Sequence, residues 1–343
     1  MQFGTFTGFP VREGDTEHAA FEEGVHLAEA ADQLGADCFW LAEYHFRPHT
    51  PLSAPLVVGS ALAARTTRLK IGLGVQLLPL SNPLRLAEDA ATLDHLSGGR
   101  FVYGIGRSSF VDGYAGFGVN YDESRPMFFE ALDVLRRAWG DEPFSFDGQY
   151  YRFSNVNVVP KPYQKPHPPI CVACESRVSF AVMGKLGFPI LIRHQMELTE
   201  LQQLLSEYEQ ERHAAGFDGP NQVTLQANCY LAETAERAHS EPEDSTMYER
   251  RLLRARIGGR EGDQEAAARL AALRADASYA ELLGLGRLLY GTPDAIIDRL
   301  REYQASLGIT GVCLNMNPGG QIPAERVLNS LRLLMERVAP AFR

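Results

Sequence analysis

The sequence predicts an α/β fold of the (β/α)8 TIM-barrel class. Strand-like and helix-like runs alternate along nearly the whole chain, eight such pairs can be counted, and most links between them are short. Several strands, such as CFWL at positions 38–41, are apolar on both faces, as in a buried parallel sheet. An open doubly wound sheet is the competing layout. The strand count and the lack of a second domain favour a single barrel domain over residues 1–343.

The first half of the chain supplies four of the predicted pairs. The predicted strands cover residues 2–7, 37–42, 69–78 and 101–105. The predicted helices cover residues 17–34, 55–64, 83–96 and 127–139, and a long loop precedes the last of them. Glycines at Gly35, Gly98 and Gly99 are expected to end helices, because glycine readily adopts the left-handed backbone that closes a helix.

The second half supplies four more pairs after a hairpin over residues 144–153 and a proline-rich run over residues 160–169. The predicted strands cover residues 170–173, 189–192, 223–231 and 311–314. The predicted helices cover residues 176–186, 198–215, 292–307 and 323–338, with Thr292 as an N-cap. Helical periodicity weakens over residues 233–286, which we interpret as a mobile insertion that contains helices.

Composition restricts the classes of partner. The net charge of -10 and the pI near 5.4 argue against nucleic acid or an anionic membrane. No apolar run approaches the roughly 20 residues of a membrane span. Five scattered cysteines fit a reducing cytoplasm better than a disulfide framework. Cys171 and Cys174 have the spacing of half a zinc site, but without a second pair we expect buried thiols and no metal.

Polar residues follow the predicted strands, where barrel enzymes carry their chemistry. Arg107 lies between Gly106 and Ser108, and small residues let a backbone pass close to an anion that a guanidinium can bind. Ser176 and Ser179 lie at a predicted helix start, where unpaired N–H groups favour an anion. We predict that the two elements form a phosphate clamp. A salt-bridged surface arginine and a plain helix cap are the alternatives.

Six segments resemble the bacterial luciferase-like flavin-dependent monooxygenases, and they span nearly the whole chain. They are LAEYHF at 41–46, LSGGRFVYGIGRSSF at 96–110, FGVNYDESR at 117–125, PPICVACES at 168–176, YGTPDAIIDRL at 290–300 and LRLLMERVAPAFR at 331–343. The resemblance implies a barrel that binds reduced FMN (FMNH2) in a cavity at its mouth. It also implies a separate NAD(P)H:flavin reductase that supplies the cofactor, and a homodimer.

Site residues follow from the resemblance position by position. The FMN phosphate would be surrounded by Arg107, Glu175, Ser176 and Ser179, with Glu43 nearby. Gly74 and Val75 match a place where the family carries a non-prolyl cis peptide beside the isoalloxazine. The small Gly106 would leave room for a larger ring there. The insertion over residues 233–286 matches the family's active-site lid.

One position departs from the family pattern. Luciferases have a catalytic histidine where this chain has Tyr44, and the following histidine is retained as His45. We expect His45 or Tyr44 to control the proton on a flavin C4a-hydroperoxide formed from O2. The expected substrate is a hydrophobic or aromatic small molecule, oxygenated by hydroxylation or Baeyer–Villiger insertion. The predicted substrate contacts are Phe6, Phe110, Tyr114 and His194, and the apolar wall could also include Phe46 and Phe117.

Two other functions are compatible with the same residues. One is an oxidoreductase of the same fold that uses the deazaflavin F420 for hydride transfer. The other is a flavin-binding protein without turnover.

Overall fold

Eight parallel strand positions close into a barrel in the computed structural model, which describes residues 1–108, 110–194, 196–257 and 276–343. The barrel strands in chain order are β1 (Gln2–Thr7), β2 (Cys38–Leu41), β3 (Lys70–Leu73) with β4 (Gln76–Leu77), β5 (Phe101–Gly106), β8 (Ile170–Cys174), β9 (Ile190–Arg193), β10 (Val223–Leu231) and β12 (Gly311–Asn315). The pairing of β1 with β12 closes the ring, because each strand also pairs in parallel with its other neighbour. The barrel prediction is confirmed.

Three further strands lie outside the ring. β6 (Phe144–Asp147) and β7 (Arg152–Val156) form an antiparallel hairpin, as the sequence predicts. β11 (Leu289–Gly291) adds to the far end of β10. The sequence did not indicate β11, because a three-residue strand is too short to show a periodic pattern.

Helices surround the barrel. Those that the structure describes are α1 (Glu17–Leu34), α2 (Pro55–Arg65), α3 (Pro83–Leu96), α4 (Val111–Gly116), α5 (Ser124–Ala138), α6 (Arg177–Leu186), α7 (Leu198–Ala214), α8 (Ala235–Ser240), α9 (Glu243–Ile257), α10 (Tyr279–Gly284), α11 (Pro293–Leu307) and α12 (Ala324–Leu333). The predicted caps at Gly35, with φ of 80°, and at Thr292, which accepts from Ala295 N, are confirmed. No helix of the described ranges is long and apolar enough to cross a membrane.

Two layers of buried side chains hold the barrel together. The larger packs the helices onto the outside of the strands, and a smaller cluster around Phe6 and Trp40 fills part of the interior. Gly104 shows how closely neighbouring strands approach, because a Cβ there would lie 1.6 Å from the carbonyl oxygen of Leu73. The five cysteines are free and buried, so Cys171 and Cys174 are the buried thiols that the sequence predicts.

Several predicted boundaries are wrong. The strand predicted over residues 69–78 divides into β3 and β4, with a cis peptide bond between Gly74 and Val75. Part of the predicted long loop is the short helix α4. Helix α5 begins at Ser124 rather than at residue 127, since a proline in the first helical turn costs no hydrogen bond. The last helix changes at Leu334 to π-helical geometry.

The predicted insertion over residues 233–286 is described in part. Its described residues form α8, α9 and α10, so the expected helices are confirmed. Residues 258–275 lie outside the described part of the chain.

Candidate active site

A cavity of about 790 Å³ opens at the carboxyl ends of the barrel strands. Most of the residues predicted from the sequence line it: Phe6, Glu43, Tyr44, Gly74, Val75, Gly106, Arg107, Phe110, Glu175, Ser176, Ser179 and His194. Among the described lining residues, however, neither His45 nor Tyr114 appears. The parallel barrel thus brings together side chains from widely separated parts of the sequence.

Arg107 lies at the end of β5, where its backbone and its side chain are both held in place. Its guanidinium Nη1 donates to Ser124 Oγ at 2.8 Å and lies against the Tyr121 ring. Its carbonyl oxygen accepts a hydrogen bond from the Tyr114 hydroxyl. The next residue, Ser108, adopts a left-handed φ of 61°, which non-glycine residues rarely do and which is common near functional sites. Arg107 is therefore anchored through one nitrogen and keeps other donors on its planar fork.

Helix α6 begins beside Arg107, because β5 and β8 are neighbouring parallel strands. Ser176 is its N-cap residue, and Ser179 Oγ accepts from Ser176 N at 3.1 Å. The predicted helix start is confirmed, with Ser176 in the capping position. We call Arg107, Ser176 and Ser179 together the anion end of the cavity.

Glu175 is the acidic residue of this region, and its charge is directed to Arg193 at 3.8 Å. Arg193 Nε also donates to Gln226 at 2.7 Å. Burial acts to lower the pKa of Arg193, but the negative charge of Glu175 and other acidic neighbours raises it above its ordinary value. The ion pair keeps the Glu175 carboxylate compensated near a site predicted to bind an anion.

The cis peptide between Gly74 and Val75 lies on the cavity wall between β3 and β4, where the family resemblance places it. The Val75 side chain reaches across to β5. A Cβ at Gly106 would lie 2.5 Å from Val75 Cγ2. The expectation that Gly106 leaves open room is therefore wrong, because the valine side chain already occupies that space.

Glu43 is a buried carboxylate that accepts three hydrogen bonds. Oε2 accepts from Gln76 Nε2 and Leu77 N, both at 2.6 Å, and Oε1 lies 2.7 Å from His45 Nε2. Burial raises the pKa of this carboxyl, and the bonds from His45 and Leu77 act in the opposite direction. These contacts lead to β4 and to His45, so Glu43 positions the wall around the cis peptide.

The His45 ring lies behind the wall that Glu43 helps to form. It packs edge-on against Phe117, with ring centroids 4.8 Å apart, and Phe117 in turn contacts the exposed Phe46. Phe46 has a left-handed φ of 57°, so the backbone changes direction immediately after His45. Of the two predicted proton-handling residues, Tyr44 lines the cavity and His45 contacts it only through Glu43.

Tyr44 belongs to an aromatic wall that includes only part of the aromatic set suggested by the sequence. Phe6, Tyr44 and Phe110 line the cavity, whereas Phe46 and Phe117 lie outside the described lining. Tyr114 is buried, and its hydroxyl donates to the Arg107 carbonyl oxygen. The prediction that Tyr114 contacts the substrate is therefore corrected. Its side chain points into the protein because α4, which the sequence did not reveal, turns it away from the cavity.

Arg47 is a cavity residue that the sequence reasoning missed. Its guanidinium carbon lies 4.0 Å from the Tyr44 ring centroid and 4.5 Å from that of Phe110. The available signal was a cation within the aromatic loop EYHFRPHTPLS that follows β2. Nothing in the local pattern indicated that Phe110, much later in the chain, completes the stack.

His194 lines the cavity after β9 in its neutral form. Tyr303 donates its hydroxyl proton to Gly286 O at 2.8 Å, so the 3.0 Å contact requires His194 Nδ1 to be the donor to Tyr303. Burial, together with the charges of Arg287 and Arg299, lowers the pKa of His194 to about 4. The ring therefore keeps an unprotonated Nε2 at neutral pH.

Helix α9 is joined to the barrel by a chain of amide hydrogen bonds. Asn228 Nδ2 donates to Glu249 Oε2 at 3.0 Å, and Asn315 Nδ2 donates to Asn228 Oδ1 at 3.2 Å. All three residues line the cavity. The first part of the insertion thus contributes directly to the site.

The fold and the site together define a barrel whose mouth cavity carries Arg107 and the serines of α6 at one part of its lining and an aromatic wall at another. The model of the luciferase-like monooxygenase family matches residues 1–310, and the chain belongs to this family.

Individual relatives agree with this assignment. Limonene 1,2-monooxygenase of Rhodococcus erythropolis is 26% identical over 100% of this chain and 87% of its own. The uncharacterized protein y4wF of Sinorhizobium fredii is 38% identical over 173 residues, and the match spans only 50% of the length of that relative.

Solved structures show the same architecture. The monooxygenase RslO1 from Streptomyces bottropensis superposes with a TM-score of 0.85 and 28% identity over 100% of both chains. The oxygenating constituent of 3,6-diketocamphane monooxygenase from Pseudomonas putida, a type II Baeyer–Villiger enzyme solved with FMN, has a TM-score of 0.84. It is 21% identical and covers 99% of this chain and 98% of its own, so it supports the fold alone.

Proposed function

We propose that the protein is the oxygenase component of a two-component system, which uses reduced FMN and O2 to oxygenate a hydrophobic or aromatic small molecule. The observation that carries this proposal is the continuity of the cavity. Around the rim, Tyr44 follows β2, Gly74 and Val75 follow β3, Arg107 follows β5 and Ser176 follows β8, and Phe110 joins Tyr44 through Arg47.

The chemical types of the lining residues fit FMN. Arg107 offers a charge-assisted hydrogen bond to a phosphate, and the N-terminus of α6 offers backbone N–H groups. The close contact between Gly106 and Val75 gives a wall beside which a planar ring can lie. A cavity of about 790 Å³ lies within the usual range of ligand sites. We therefore assign the phosphate to the anion end and the ring to the wall around Gly74, Val75 and Gly106.

Reduced FMN supplies the electrons for O2, which otherwise reacts slowly with closed-shell organic molecules. The chain's own residues bind, shield and control protons. Phe6 and Phe110 exclude water from the reacting region. Tyr44 is the proposed proton-handling residue in the cavity, since its phenol can both donate and accept a hydrogen bond. His45 is the proposed positioning residue, which acts on the cavity through Glu43.

The partners follow from the same proposal. A separate NAD(P)H:flavin reductase supplies the cofactor, and the similar Pseudomonas protein is likewise the oxygenating constituent of its monooxygenase. We propose a homodimer and a cytoplasmic location, the latter supported by five free, buried cysteines. We also propose a single domain over residues 1–343 with a lid formed by residues 233–286, and Glu249 supplies a described contact from that segment.

Anaerobic mixing of the protein with reduced FMN, followed by O2, tests the function. We expect the protein to delay the appearance of oxidised FMN, because a water-excluding site controls the protons of the reaction. Tight binding of F420 with no delay would indicate the deazaflavin alternative. Stable FMN binding with no effect on the oxygen reaction would indicate a binding protein without turnover.

A further inference from the structure

Arg47 is a cation held between two aromatic rings inside the cavity. The side chain is partly buried, and its guanidinium lies over Tyr44 and Phe110 at 4.0 and 4.5 Å from the ring centroids. Stacking of this kind fixes the plane of the guanidinium and desolvates its faces. Donors at the edge of the fork are then the groups left to bind another molecule.

Arg47 lacks the close ion-pair partner that Arg193 has in the same cavity. Arg107 donates to Ser124, and Arg193 contacts Glu175 and Gln226. The ion pairs of the described residues do not include one with Arg47, and its buried Nε has no hydrogen-bond partner there. A desolvated cation without a carboxylate in ion-pair contact is costly, and an anionic ligand would offset that cost.

The electrostatics around Arg47 show the same deficit of negative charge. Burial lowers the pKa of Arg47, interactions with Tyr44, including a hydrogen bond, and with Asp112 act in the opposite direction, and the charge of Arg193 lowers it further. Burial and then the charge of Arg47 lower the pKa of His49, which also lines the cavity. Arg47 and Arg193 thus bring two cations close together in this part of the mouth, despite the net negative charge of the chain.

We propose that Arg47 binds a carboxylate carried by a planar aromatic or conjugated substrate. This inference rests on the proposed function and narrows its substrate class from any hydrophobic molecule to an aromatic acid. The rings of Tyr44 and Phe110 provide the apolar contacts, and the guanidinium fork provides the anion contact. Arg47 follows β2 and Arg107 follows β5, with β3 between these strands in the barrel, so we assign the two arginines to different anions.

Calorimetry on the full chain, with and without FMN, tests the proposal using matched pairs of probes. The probes are benzoate, 2-naphthoate and anthracene-2-carboxylate, each compared with its neutral primary amide. We expect at least one acid to bind at least about tenfold more tightly than its amide, and Arg47→Gln to abolish that preference while leaving the amide affinity within about twofold. Arg152→Gln is the matched control, because Arg152 is exposed in the β6–β7 hairpin, where it contacts Asp147 and the Gly148 carbonyl and does not line the cavity.

Two results would overturn the assignment. One is an equal affinity of acids and amides for the parent protein. The other is an equal loss of acid affinity and amide affinity in Arg47→Gln, which would mean that Arg47 only stabilises the loop by stacking on the aromatic rings. If Arg47→Gln does not fold, Arg47→Lys replaces it and is expected to reduce the acid preference, because an ammonium cannot form the fork. FMN binding and the oxygen reaction are measured separately, so failure of the proposed function is distinguished from failure of this inference.

Discussion

The anion end and the aromatic wall of the cavity are built in different ways. At the anion end, Arg107 immediately follows β5, and Ser176 caps α6 two residues after the end of β8. At the aromatic wall, the Arg47 guanidinium depends on rings from two distant segments, Tyr44 and Phe110. The positions of the strand ends place the residues of the anion end, whereas side-chain packing places those of the aromatic wall. The anion end should therefore respond to single substitutions mainly in ligand affinity, and the wall should also respond in stability and selectivity.

The largest expected effect tests the anion end. Arg107→Ala should weaken FMN binding by about ten- to a hundredfold, because a charge-assisted hydrogen bond contributes roughly 1.5–3 kcal/mol. Riboflavin, which lacks the phosphate, should lose less than about threefold. Fluorescence titration of both flavins measures the difference. Equal losses for the two ligands would contradict the phosphate assignment.

A smaller effect, on stability, is expected at Gly106, which lies between the anion end and the aromatic wall. Gly106→Ala places a Cβ 2.5 Å from Val75 Cγ2, so the valine must move and the free energy of unfolding should fall by about 1–2 kcal/mol. Gly113→Ala in α4 is the matched control, because a Cβ there meets Leu80 at an ordinary 3.4 Å. Urea denaturation followed by circular dichroism compares the two. A Gly106→Ala protein as stable as the control would show that the wall is looser than the structure indicates.

The smallest effect concerns His194, a partly buried titratable group that lines the cavity. The folded pKa of His194 is lowered to about 4, whereas an unfolded histidine titrates near 6.5. Between these values the unfolded state binds more protons, so His194 makes stability rise with pH from about 4 to 6.5. His194→Gln should reduce the difference in unfolding free energy between pH 5 and pH 7 by about 1 kcal/mol, a value discounted for partial solvent exposure.

Urea titrations at the two pH values measure the His194 contribution. His18→Gln is the control, because His18 is exposed on α1 and pairs only with the exposed Glu22. A His194→Gln protein that keeps the pH dependence of the parent would mean that this side of the mouth is more hydrated than its burial indicates.

The amino-acid sequence by itself determined the barrel and most of the rim. Alternating periodicities, helix caps such as Gly35 and Thr292, and polar residues directly after strands are local features, and the closure of a parallel barrel brings strand ends together. The sequence did not predict α4 and β11, because elements of six and three residues are too short to show a periodic pattern. The cis peptide at Gly74 and Val75 was expected only through the family resemblance.

Only the tertiary structure decided which side chains reach the cavity. His45 turns to Glu43 while its neighbour Tyr44 faces the site, and Val75 fills the space beside Gly106. Arg47 becomes a candidate binding residue because Phe110 folds over it. Side-chain direction in a loop depends on individual backbone angles, such as the left-handed φ of Phe46, and on packing against residues distant in the chain. Neither the loop backbone angles nor the long-range packing produces a periodic pattern in the sequence. The sequence therefore predicted which residues lie at the rim, but not which side chains face the cavity.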